Sequence, residues 1–123
     1  MLGHLLRIAH STIRETVKKN RSPEWKTVSH NKVAAVPQCE VCGDTSRLQV
    51  HHIQPFADHP ELELTLTNLV VLCMGKNECH LRCGHGGSFK SFNPNILSTI
   101  IEAKAGKDLI LIQQESKLNR VRI

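Results

Sequence analysis

Residues 66–86, LTNLVVLCMGKNECHLRCGHG, decide how the rest of the chain is read. The stretch opens with Asn68 just ahead of an apolar run, Leu69 to Leu72. It passes into a polar loop bounded by Cys73 and Cys79, and His80 follows at once. Gly84, Gly86 and Gly87 break any helix that begins near His80. An apolar strand emptying into a cysteine-framed loop and a clipped helix needs partners for its thiols.

Those partners lie upstream in Cys39-Glu40-Val41-Cys42, a tight turn closed by Gly43. The chain has five cysteines, an odd number that excludes a complete disulfide set. Cys39, Cys42, Cys73 and Cys79 form two pairs with the chemistry of a closed, tetrahedral structural zinc site. Three cysteines completed by His80, or an exchange for Cys83, use the same frame, and buried unligated thiols are the plain alternative. Cys83 reads as a small apolar filler. With three Phe, one Trp and no Tyr in 123 residues, the core is modest, and a zinc staple offsets that.

Five of the eight histidines fall between positions 51 and 85. If zinc joins the cysteine pairs, His51, His52, His80 and His85 are drawn into one neighbourhood. Neutral imidazoles then become candidate ligands for a second, catalytic cation, and one left over is a candidate general base. The doublet sits in LQVHHIQPF, residues 48–56, whose first half reads as a strand over 47–53. Neighbours on a strand face opposite ways. Both histidines serve one site only if the strand ends there, bending into Gln54-Pro55. His59, in the following loop, reads as a loop residue. His4, His10 and His30 lie far away in sequence, and the loop acids Asp58, Glu61 and Glu63 read as solvated.

Outward from this centre, Leu2, Leu5, Leu6, Ala9, Ile13 and Val17 follow helical spacing, with Arg7, Arg14, Lys18 and Arg21 on another side. Ser22-Pro23-Glu24 predicts a second helix with Ser22 as its N-cap, ending before Pro37. Asn93-Pro94-Asn95 predicts a helix to about Lys104. Residues 109–112 read as a late strand or a helical extension, and 116–123 as a loose tail.

Residues 1–32 carry seven Lys/Arg against two acids, residues 33–66 one against five, and residues 67–123 eight against four. A basic flank beside an acidic centre suits a polyanionic partner, although a solvated helix face carries the same charges. Arg7, His4 and His10 interrupt the apolar start, and no run approaches the roughly 20 apolar residues of a spanning helix. No membrane partner is expected, and the expected location is cytoplasmic, with reduced thiols.

The order His51-His52, Asn68, Cys79-His80, framed by two cysteine pairs, resembles the HNH endonucleases of the ββα-metal superfamily. The string VHHIQPFADHPELEL…TNLVVLC…CHLRCGHG is similar to a zinc-containing bacterial and phage branch of that family, over roughly residues 37–95. The resemblance implies an α+β fold: a small ββα-metal core with structural Zn2+, flanked by N-terminal and C-terminal helices. It implies a basic helical region at 1–36, a nuclease core at 37–95, and a helix and tail at 96–123. It implies hydrolysis of DNA phosphodiesters to a 5′-phosphate and a 3′-hydroxyl, with Mg2+ or Mn2+, or else Zn2+ or Ni2+, as catalytic cation.

By position, His52 matches the general base, His51 and His80 the cation ligands, and Asn68 the residue that ties the loop and orients the base. The interval from Asn68 to His80 is longer than usual for the family. His85 follows His80 by five residues, off the i, i+4 face of an ideal helix. The third ligand is therefore His80, His85 or both. Arg14, Lys18, Arg21, Arg82 and Lys90 are the candidate nucleic-acid contacts. Phe89 and Phe92 read as packing residues. A homodimer or a larger protein partner is expected to supply specificity for a long target. The rival reading is a zinc-stabilised nucleic-acid-binding module with a degenerate site.

Overall fold

The computed structural model describes residues 21–123. The amphipathic helix expected near the start, with Arg14 and Lys18, lies outside the described residues. Among the described residues no helix is long and apolar enough to cross a membrane.

The fold is a small α+β unit built on an antiparallel pair, β1 (Leu48–His52) and β2 (Leu69–Cys73). Leu48 sits opposite Cys73 and His52 opposite Leu69. All five residues of β2 are buried, which explains why its sequence is a continuous apolar run rather than an alternating one. One edge of β2 pairs with β1. On the other, Glu40 N donates to Val71 O at 2.9 Å and Val71 N to the Glu40 carboxylate at 2.7 Å. The cysteine turn is thereby docked against the strand that ends in Cys73.

The long connection from β1 to β2 contains two short 3-10 turns, Pro60–Leu62 and Leu66–Asn68. After β2, residues His80–Gly84 form one turn of π-helix, closed by His85 N donating to His80 O at 3.0 Å. Two helices follow, numbered here α2 (Ile96–Lys104) and α3 (Leu109–Asn119), after α1 (Trp25–Ala35). Buried Asn93 anchors both, its amide donating to Thr99 Oγ1 at 3.0 Å and Ser116 Oγ at 3.3 Å. Leu72, Cys73, Cys79, Cys83, Ile96, Ile100 and Ile112 form the core between sheet, π turn and helices.

Three expectations change. Ser22 does not cap α1: its hydroxyl accepts from Glu24 N at 3.2 Å, bracing the turn before a helix that starts at Trp25. Residues 109–112 are the first turn of a separate helix, because Gly106, at φ +94°, ends α2 and the Asp108 carboxylate accepts from Leu111 N. The tail is not loose. Val121–Arg122 form β4, pairing antiparallel with β3 (Ser91–Phe92).

Candidate active site

The four cysteines Cys39, Cys42, Cys73 and Cys79 bring their sulfurs within 4.8 Å of one another. Cys42 Sγ and Cys73 Sγ are 3.6 Å apart. A tetrahedral zinc with bonds of about 2.3 Å places thiolates about 3.8 Å apart, so the cluster fits that ion. A hydrogen bond with Cys79, and then burial, push the Cys39 thiol far above its ordinary range. Cys39 is thus held as a thiol in the metal-free cluster, and zinc binding there releases its proton. Cys83 is buried beside the cluster but is not one of the four.

A second cluster, His51, His80 and His85, also brings one ligand atom each within 4.8 Å. The π turn explains it. Its i to i+5 closure carries His85 round onto the side of His80, and their Nε2 atoms lie 3.3 Å apart. His80 Nδ1 is held by Gln49 Oε1 at 2.8 Å, and His85 Nδ1 by the Ser91 carbonyl at 2.7 Å. Both Nδ1 atoms are therefore donors, and both Nε2 lone pairs face the cluster. His51 is 2% exposed, and neither of its ring nitrogens has a hydrogen-bond partner among the described residues. A buried polar side chain with no partner, aimed among two other imidazoles, fits a cation ligand. Burial lowers all three from the ordinary 6.5, His80 to about 4, with the neighbouring histidines adding to the effect for His51 and His80. All three are neutral at pH 7, the form that ligates metals.

His52 is the last residue of β1 and is not one of the three clustered imidazoles. Its Nε2 donates to the Glu63 carbonyl at 3.0 Å, leaving Nδ1 as the acceptor. Its ring stacks on Trp25, with centroids 4.6 Å apart. Burial lowers its pKa, against the raising effect of the Glu63 carbonyl. The chain leaves the strand at once. Ile53 N donates to Asn68 O, Gln54 N donates to Asn68 Oδ1 at 2.8 Å, and Asn68 Nδ2 donates to the carbonyls of Gln54 and Leu62. Buried Asn68 thus staples both ends of the β1–β2 connection. His51, His52, His80 and His85 open on one cavity of about 500 Å³, also lined by Trp25 and Phe89.

The candidate nucleic-acid contacts scatter. Arg21 lines the cavity but pairs with buried Glu63 at 3.6 Å and lies over the Phe56 ring at 3.9 Å. Arg82 pairs with Glu78 and, like Lys90, does not line the cavity. Phe89 is not a packing residue: it is 56% exposed, at the cavity beside His80 and His85. His59 pairs with Glu61 in its loop. Trp25, Gln49 and Ser91 shape the site without having been singled out for it, and Glu63, expected to be a solvated loop acid, is instead buried and holds His52 through its carbonyl. None carries a spacing signal, since each meets its histidine through the fold.

Residues 39–86 match the family model described as HNH endonuclease. No curated protein matches the chain. No solved structure matches it either. The matched segment runs from the first cysteine of the knuckle past the π turn, so it holds both clusters and His52. Over residues 39–86 the chain is thus similar to the HNH endonucleases, and its four-cysteine cluster is compatible with that family's zinc-binding branch.

Proposed function

We propose that the protein is a metal-dependent endonuclease that hydrolyses DNA phosphodiester bonds, with His52 as general base. The observation that carries this reading is that a neutral, oriented His52 and a three-imidazole cluster open on one cavity. The Glu63 carbonyl fixes His52 as the Nε2–H tautomer, so Nδ1 is the atom that takes a proton from water. Trp25 and the carbonyl hold the ring, and Asn68 holds the chain on which it sits. His51, His80 and His85 are the residues that would hold the cation. Bound there, a divalent cation supplies charge neutralisation at the phosphate and at the departing oxygen. Three imidazoles without a carboxylate favour Zn2+ or Ni2+ over Mg2+. Cys39, Cys42, Cys73 and Cys79 would hold a structural zinc.

Plasmid nicking with metal removal and add-back tests the reading. His52→Ala is expected to lower cleavage by about 10²–10⁴-fold while folding and zinc content persist. Full activity in that variant would overturn the assignment of the base. DNA binding without nicking under any divalent cation would instead support a binding module with a degenerate site.

A further inference from the structure

The basic side chains of the described residues are not equivalent. Arg21, Arg82 and Lys107 are each neutralised by an acid. Lys90, Lys117, Arg120 and Arg122 have no acidic partner among the described residues, and they gather around β3, β4 and the end of α3. Lys90, Arg120 and Arg122, with Ser88 and Ser91, wall a concavity of about 400 Å³. Arg120 and Ser88 also border a second one of about 680 Å³, which Lys117 lines. Among the described residues no acidic side chain lines either. The two make one basic trough hinged on Arg120, whose guanidinium is steadied by donating to the Gly86 carbonyl at 3.0 Å.

The β3–β4 pair is the partition between this trough and the histidine cavity. Phe92 and Ile123 face the cavity, whereas Ser91, Lys90 and Arg122 face the trough. Ser91 lies opposite Arg122, and Ile123 N donates to Lys90 O at 2.8 Å. The partition is also tied to the cluster, since the carbonyl of Ser91 accepts from His85 Nδ1. A strand bearing a phosphate at the histidines therefore has cations one wall away.

We infer that Lys90, Arg120 and Arg122 form a docking track for the DNA backbone, taking phosphates that flank the one entering the histidine cavity. Cations set position and affinity there, and Ser88, whose hydroxyl accepts from Lys90 N, adds a hydroxyl donor to a phosphate oxygen. This rests on the nuclease reading for its ligand, but it is measurable without cleavage.

The experiment compares the full chain with its Lys90→Gln/Arg122→Gln variant, binding a labelled DNA duplex over a range of salt with no divalent cation added. The variant is expected to bind more weakly, and its log K against log salt slope is expected to be shallower by about 1.8, for two lost phosphate contacts. Hydrolysis of bis(p-nitrophenyl) phosphate, which has no flanking phosphates, is expected to be unchanged. A Lys76→Gln/Lys104→Gln variant, which removes equal charge elsewhere, is expected to keep the slope. Unchanged affinity and slope in the first variant, an equal loss in the second, or an equal loss on the small diester would each overturn the track. Loss of binding in a protein that never nicks DNA would support the track and remove the nuclease reading.

Discussion

The indole of Trp25 lies on the imidazole of His52, with ring planes inclined by only 27°. Trp25 stands on α1, outside the family-matched segment, yet covers one face of the proposed base. An aromatic stack contributes about 0.5–1.5 kcal/mol. If that energy goes into holding His52, Trp25→Ala slows nicking by about two- to tenfold. Trp25→Phe restores most of the rate. Single-turnover nicking with both variants measures this, and an unchanged rate in the alanine variant sinks the positioning role.

Acid should loosen the metal-free fold. The folded-state pKa of His80 is lowered to about 4, first by burial and then by the charges of His85 and His52. Unfolded, the group titrates near 6.5. Between those values the unfolded chain binds more protons, so stability falls as pH drops from about 6.5 towards about 4. His51, His52 and His85 shift the same way. Denaturant midpoints at the two ends of that window give the slope, and His80→Gln is expected to flatten it.

Asn68 makes three side-chain hydrogen bonds from a buried position. Asn68→Ala strands the Gln54 N–H and loosens the entry to the β1–β2 connection. The expected loss is about 1–3 kcal/mol of stability, read from urea unfolding. Asn68→Asp is expected to be no better, because a carboxylate cannot donate to the carbonyls of Gln54 and Leu62. An aspartate variant of native stability contradicts the staple.

Gly84 leaves only tight space for a side chain. A Cβ there would stand 3.0 Å from His51 Cε1 and Nδ1, and 3.0 Å from Leu72 Cδ1. His51 is buried and has little space to yield. Gly84→Ala should therefore weaken cation binding at the histidine cluster by about tenfold or more, while the cysteine site keeps its zinc. Calorimetric titration of the zinc-loaded variant measures the first effect, and elemental analysis the second. Equal affinity in variant and wild type contradicts the packing argument.

What the sequence displayed was what local spacing encodes. The cysteine pairs announce themselves, as does a histidine doublet at the end of an apolar run. Trp25 and Glu63 were invisible as site residues, because they reach His52 only after α1 and the long connection fold over β1. The pairing of β4 with β3 joins short segments with no alternation to read. The basic positions were legible as charge but not as function. Arg21 and Arg82 had acids waiting for them, whereas Arg120 and Arg122 looked like a frayed end. His85 was doubtful because the i, i+4 rule assumes an α-helical turn.

The π turn between His80 and His85 behaves as a phase shifter. Each α-helical residue advances a side chain by about 100° around the axis. Deleting one residue from positions 81–83 would let the turn relax to α-helical closure and restore the i, i+4 relation between the two imidazoles. It would also draw Ser91, which holds His85, out of step with β4. Cys79 lies ahead of the turn and would not be rephased. The two candidate metal clusters therefore take their phase from different stretches of chain, and one can drift in sequence space while the other stays fixed.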